Sequence, residues 1–146
     1  FTVASCVACH KLGGVGVEIG QDLTKLDPKY THLDILKEIL EPSAKIDDKF
    51  ANYVFQTQDG QTITGLVLEE NSNEIKIIEN PLLKTQPLIL KKSDVAERKK
   101  SPTSMMPKGL LDKLTREEIL DLLAYVAAKG DPASPLYKEG HDHLGR

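Results

Sequence analysis

The sequence predicts a mainly α fold carrying a small inserted antiparallel β-sheet of about four strands, α+β overall. Three observations predict it. Apolar residues recur at helical spacing over 28–41 and again over 116–129. Between them, over 51–95, the pattern changes to alternation punctuated by turn residues. The length of 146 residues suits one domain, or one domain with a large insertion. The chain therefore reads as a single domain, 1–146, interrupted by a β segment at 51–95 and ending in a loose tail at 131–146.

Composition narrows the classes. Hydrophobic residues make up 40% and aromatic ones only 5%, with no tryptophan, so the core must be mostly aliphatic. A formal charge of −3 gives no broad basic footprint for nucleic acid. No apolar run approaches the length of a membrane span. The chain begins at Phe1 and reads as a mature fragment or an excised domain.

Residues 1–10 read as the end of a helix whose earlier turns precede residue 1. They contain Cys6-Val7-Ala8-Cys9-His10. On a helix these two thiols and the imidazole stand at i, i+3 and i+4 and share one face. Two thiols at this spacing with a histidine directly after the second form the attachment signature for c-type haem. Each thiol can add to one vinyl group, and the imidazole can then reach the iron as an axial ligand. A buried macrocycle would also help to fill a core poor in aromatics, with Phe1 packing near its edge. Two other chemistries use the same pair. A zinc site would need two further ligands, and the other histidines are His32, His141 and His143, with no third cysteine. A redox dithiol would need a strand before it and a βαβ pattern around it. Both cysteines belong to the motif, so no structural disulfide is expected.

Residues 13–24 form a glycine-rich loop that matches no dinucleotide fingerprint. A haem-ligating histidine needs an acceptor for its other ring N–H, and a backbone carbonyl of this loop can supply it. The helix over 28–41 has Thr31 or Asp27 as its cap, in the second case with Pro28 at its first position, and Pro42 stops it. His32 near its start reads as a solvated residue. Strands follow at Tyr53–Gln58, Gln61–Glu69, Glu74–Ile78 and Pro87–Lys91, with Asp59-Gly60 turning the first hairpin. Gly65 inside the second strand signals a bulge or a sharp bend. Residues 97–104 read as a charged connection. The last helix, 116–129, opens with the capping box Thr115-x-x-Glu118 and stops at Gly130. His141 and His143 in the tail read as solvated.

Met105 and Met106 are the only methionines and precede Pro107. A thioether is a soft, neutral iron ligand that raises the reduction potential when paired with histidine. Met106 is favoured as the distal ligand because Pro107 fixes the backbone after it. Met105 is the alternative.

Taken in order, Cys6-x-x-Cys9-His10, Gly20-x-Asp22-Leu23, Met106-Pro107 and Leu123-Ala124-Tyr125-Val126 resemble a class I cytochrome c. The series ILEPSAKID, YVFQTQDGQTITGLVLEE, LKKSDV and SMMPKGLLDKLTREEILDLLAYV is similar to the extracytoplasmic haem-binding domain family common in planctomycetes and their relatives. The resemblance covers nearly all of residues 1–129. It implies a cytochrome c-like helical haem domain with one covalent haem c on Cys6 and Cys9, His10 as proximal ligand and Met106 as distal ligand. Family members form the C-terminal part of large secreted proteins, fused to dehydrogenase-like propeller or helical-repeat regions. One position departs from the pattern. Such cytochromes carry proline where this chain has Gln21, whose carbonyl would accept the His10 N–H without proline's rigidity.

The function this implies is a one-electron carrier rather than an enzyme. Its partner would be a redox protein or a fused dehydrogenase-like domain, in an extracytoplasmic (periplasmic or secreted) bacterial setting. A homodimer is also allowed, and the β insertion reads as a structural cover or as a docking face. A haem-based sensor or small-ligand binder is the alternative, with a labile distal methionine. A peroxidase-like enzyme would need a polar distal group, and Arg98 is the nearest candidate in sequence. The run Arg98-Lys99-Lys100 could steer an acidic partner or pair with haem propionates.

Overall fold

A computed structural model describes residues 1–139 of the chain, which falls into two compact units. One joins Phe1–Glu41 to the chain from Lys108 onward; the other is Pro42–Pro107. Helix accounts for 26% of the structure and strand for 23%, so the expectation of a mainly α fold is wrong. Two local causes account for the difference. Residues 1–10 are not the end of a helix: Ser5 has a left-handed backbone (φ 61°), and only one 3-10 turn, Cys6–Ala8, follows it. In addition, the sheet has five strands rather than about four.

The first unit is built on α1 (His32–Leu40) and α2 (Arg116–Ala127), with the short α3 (Leu136–Glu139) inside what the sequence presents as a loose tail. Both longer helices start at reciprocal capping boxes. The Thr31 hydroxyl accepts from the Asp34 N–H at 3.2 Å while the Asp34 carboxylate accepts from the Thr31 N–H at 2.9 Å. Thr115 and Glu118 repeat the arrangement at 3.2 and 2.7 Å. Each box satisfies two N–H groups that the first turn would otherwise leave bare. The Asp27 carboxylate instead accepts from the Lys29 N–H in a turn before α1, which is why the helix begins at His32 and not at Pro28. At the far end of α2, Gly130 N–H donates to the Tyr125 carbonyl and Lys129 N–H to that of Val126. The left-handed residue of this Schellman end is Lys129 (φ 55°), with Gly130 (φ 73°) after it. Leu12, Leu26, Ile35, Leu111, Leu122, Leu123 and Val126 form the buried core. Phe1 packs edge-on against Tyr125, with ring centroids 5.7 Å apart.

The second unit is an antiparallel sheet of β1 (Asn52–Thr57), β2 (Thr62–Glu70), β3 (Glu74–Ile78), β4 (Leu88–Lys91) and β5 (Val95–Lys100). The spatial order is β4-β3-β2-β1-β5. The first four strands lie where the alternation places them. Asp59-Gly60 closes the β1–β2 hairpin, with Gly60 at φ 86° where a side chain would be strained. Phe55, Ile75, Ile77 and Leu90 are buried together on one sheet face, with Tyr53, Ile63, Val67 and Val95 around them. The register of β2 against β3 shifts between Val67 and Glu69, a bulge two residues past Gly65.

The fifth strand takes in residues 97–100 of the segment 97–104 that reads in sequence as a charged connection. It pairs with β1 along Tyr53↔Lys100, Val54↔Lys99 and Phe55↔Arg98. Arg98 stands in for an apolar residue there. Its guanidinium carbon sits 4.2 Å from the Tyr53 ring centroid and its Nη1 is 2.9 Å from Glu70. Lys92 reaches the other oxygen of Glu70 at 2.9 Å. Hydrogen bonds from Lys92 and Arg98 hold the Glu70 carboxyl below the usual glutamate range. A group whose folded pKa is lowered stabilises the fold above its unfolded pKa, and that stability is lost as pH falls through the folded value. The sheet unit should therefore lose thermal stability on acidification below about pH 4.3, the ordinary glutamate value. Glu70→Gln should be less stable than the wild type at neutral pH and converge with it in acid. Parallel melting curves for the two chains at all pH values would contradict this.

Candidate functional site

The site is built on the single turn that carries the motif. His10 N–H donates to the Cys6 carbonyl at 2.8 Å and Cys9 N–H to the same oxygen at 3.1 Å, so Cys6, Cys9 and His10 are held on one turn without a long helix. The loop that follows folds back over this turn. Val17 N–H reaches the Val7 carbonyl at 3.2 Å, and the N–H groups of Ile19 and Gly20 both reach the Cys9 carbonyl, at 3.0 and 2.7 Å. Leu23 N–H closes the loop on the Lys11 carbonyl at 2.8 Å.

Two glycines make this closeness possible. A Cβ on Gly16, whose φ is +91°, would stand 2.1 Å from the His10 carbonyl oxygen. A Cβ on Gly20 would stand 2.8 Å from Cε1 of the His10 ring. The imidazole thus lies directly against the Gly20 backbone. Its Nδ1 is 2.8 Å from the Gln21 carbonyl oxygen. A carbonyl only accepts, so Nδ1 carries the proton, and in the neutral ring the lone pair is left on Nε2. Gln21 lacks proline's fixed φ, yet its neighbours are tied on both sides. Ile19 and Gly20 are bonded to Cys9 on one side. On the other, the buried Asp22 carboxylate accepts from Thr24 N–H at 3.0 Å and caps the turn Leu23–Lys25. The bond from Thr24, with Lys25 3.3 Å away, lowers the Asp22 pKa. Asp22 and Thr24 are the residues that sequence reasoning did not single out for this role; the Asp-x-Thr turn spacing is the signal that carries it.

The thiols are free and half-buried, with no disulfide between them. Burial raises the pKa of both; for Cys9 the neighbouring Cys6 adds to the rise. A dithiol active in exchange works through a thiolate with a depressed pKa, so these thiols are poorly suited to that chemistry. Among the described residues no three His, Cys, Asp or Glu side chains are grouped to hold a metal ion. The donor set does fit haem c. Two reduced thiols stand at the attachment spacing, and beside them is an imidazole whose tautomer leaves Nε2 as the donor atom, backed by a carbonyl on Nδ1.

The other candidate residues are placed as follows. Met105 and Met106 belong to the unit Pro42–Pro107 and are half-buried. Their loop is shaped by hydroxyls. Ser104 N–H donates to Ser43 Oγ at 2.9 Å, and Met106 N–H donates to Ser104 Oγ at 3.1 Å. His32 is exposed at the first turn of α1. His141 and His143 lie outside the described residues. Arg98, the polar candidate of the peroxidase-like reading, is paired with Glu70 and lies over the Tyr53 ring. Every cation of the run at 98–100 has an acidic partner, Glu70 for Arg98, Glu97 for Lys99 and Asp48 for Lys100, so the run is not an unpaired basic patch. No helix among the described residues is long and apolar enough to cross a membrane. No family model matches the chain, and no curated protein matches it.

Proposed function

We propose that this chain is a c-type cytochrome domain that binds one haem covalently through Cys6 and Cys9 and transfers single electrons. The observation that supports it best is the 2.8 Å contact from His10 Nδ1 to the Gln21 carbonyl, which leaves Nε2 as the free donor beside two reduced thiols. When bound, the haem supplies an iron that exchanges one electron at a time. The residues of the chain do the rest. Cys6 and Cys9 fix the porphyrin edge, His10 holds the metal, and Gln21 keeps the imidazole in one tautomer and orientation. The order of motifs along the chain supports a place in the extracytoplasmic haem-binding domain family. Attachment of haem to Cys-x-x-Cys-His takes place outside the cytoplasm, so the domain works in the periplasm or is secreted. Its electron partner is a redox protein or a fused dehydrogenase-like domain. The chain acts as a carrier and not as an enzyme.

The distal ligand is assigned to Met106 on the adjacent Pro107 alone. Production in a host with c-type haem maturation, followed by absorption spectra of oxidised and reduced protein, tests it. Wild type should be low-spin in both states, with a methionine-to-iron charge-transfer band when oxidised. Met106→Ala should lose that band and Met105→Ala should keep it. If the band survives Met106→Ala and disappears in Met105→Ala, the assignment passes to Met105. A wild-type spectrum that is high-spin, or that shifts with carbon monoxide or imidazole, overturns the carrier reading in favour of a ligand-binding sensor.

A further inference from the structure

The two edges of the five-stranded sheet differ in kind. The outer edge of β5 carries Glu97, Lys99 and Lys100, each exposed. Charges of this sort along an edge oppose pairing with another chain. The opposite edge, β4, is apolar. Ile89 is 50% exposed and Leu88 37% exposed, and in the segment just before the strand Leu82 is 44% and Leu83 82% exposed. Leu90 points into the sheet core at 7% exposure, so Leu88 and Ile89 emerge on opposite faces of the strand. An open apolar edge of this kind invites another strand.

We propose that the β4 edge is the surface through which a second copy of this chain docks, the two β4 strands pairing antiparallel about Ile89. The strand is its own complement in that register. Ile89 faces Ile89 and Leu88 faces Leu90, the aliphatic cross-strand pairs that stabilise antiparallel ladders. The one charge on the strand, Lys91, sits at its end and lies across from Glu74 of β3 within its own sheet. The two Lys91 residues fall at opposite ends of the pair, roughly 13 Å apart at about 3.4 Å per residue. That exceeds the screening length of about 8 Å at physiological salt. The unit as a whole does not repel itself, since residues 42–107 hold nine Lys or Arg and nine Asp or Glu. The charged β5 edge then stops further addition, so the assembly closes at two chains with two-fold symmetry.

The test is sedimentation equilibrium on the full chain across a wide range of concentration, beside a Leu83→Lys/Ile89→Lys double variant. Both positions are exposed, so the variant keeps its fold, and an unchanged far-ultraviolet circular dichroism spectrum checks this. The wild type should approach the mass of two chains at high concentration and dissociate on dilution. The double variant should remain at one chain throughout. A wild type that stays at one chain, a folded double variant that still dimerises, or masses that grow beyond two chains would each overturn the proposal.

Discussion

A chain carrying Gly16→Ala should melt well below the wild type, by roughly 10 °C for a loss of about 3 kcal/mol. The side chain meets two obstacles. At φ +91° the backbone is in a region that non-glycine residues reach at a cost of about 1–3 kcal/mol. The new Cβ would also stand 2.1 Å from the His10 carbonyl oxygen, a backbone atom that no rotamer change can move away. Gly14 separates the two terms. Its φ is +84°, yet a Cβ there meets nothing within 4 Å. Gly14→Ala should therefore show the backbone cost alone, and the difference between the two variants is the cost of the collision. Because the loop that carries Gly16 also carries Gln21, the His10 Nδ1 proton should lose its protection in the Gly16→Ala variant. Equal melting temperatures for Gly14→Ala and Gly16→Ala would show that the loop does not lie against the motif in this way.

In the sheet unit, Gly65→Ala should be comparably severe for a different reason. The backbone of Gly65 is not left-handed, so the cost is purely steric. A Cβ there would stand 2.4 Å from Ile77 Cγ2 and 2.5 Å from the Ile78 carbonyl oxygen. Ile77 is fully buried among Phe55, Ile75 and Leu90 and has no space to retreat. Relief requires β2 and β3 to separate, which breaks the centre of the sheet. A loss of about 3 kcal/mol or more is expected. Denaturant unfolding followed by far-ultraviolet circular dichroism measures it, and a change under about 1 kcal/mol would contradict the packing described.

Some of this architecture was legible in the sequence, for identifiable reasons. Local signals survive folding when the groups that make them are neighbours in the chain. The capping box at Thr115 pairs groups three residues apart, Thr31 was one of the two caps the sequence offered for α1, and strands β1 to β4 carry their own alternation. Gly65 signalled a disturbance in β2, and its cause is the close approach of β3. The fifth strand was invisible because its partners are distant. Only Val95 and Ala96 are apolar in Val95–Lys100, and the role of Arg98 depends on Tyr53 and Glu70, far away in sequence. The mainly α reading failed for a related reason. The motif residues Cys6, Cys9 and His10 need only one turn of helical geometry to share a face, and a left-handed Ser5 just before that turn breaks the longer helix that the spacing alone suggested.

At the candidate site, the motif and its glycines were legible, and so was the need for a carbonyl beside His10. What the glycines touch was not. Gly16 and Gly20 approach the backbone and ring of His10 itself, and Asp22 with Thr24 replaces by hydrogen bonds some of the stiffness that a proline at Gln21 would give.

The proposed function requires that Cys6 and Cys9 carry a haem through thioether bonds. Intact mass after denaturation and acid–organic extraction, on protein made in a host with c-type maturation, tests it most directly. The haem should stay with the wild-type chain, and a Cys6→Ser/Cys9→Ser chain should lose it entirely. A wild-type chain that comes through maturation at its bare polypeptide mass, or that releases its haem on extraction, would contradict the covalent assignment.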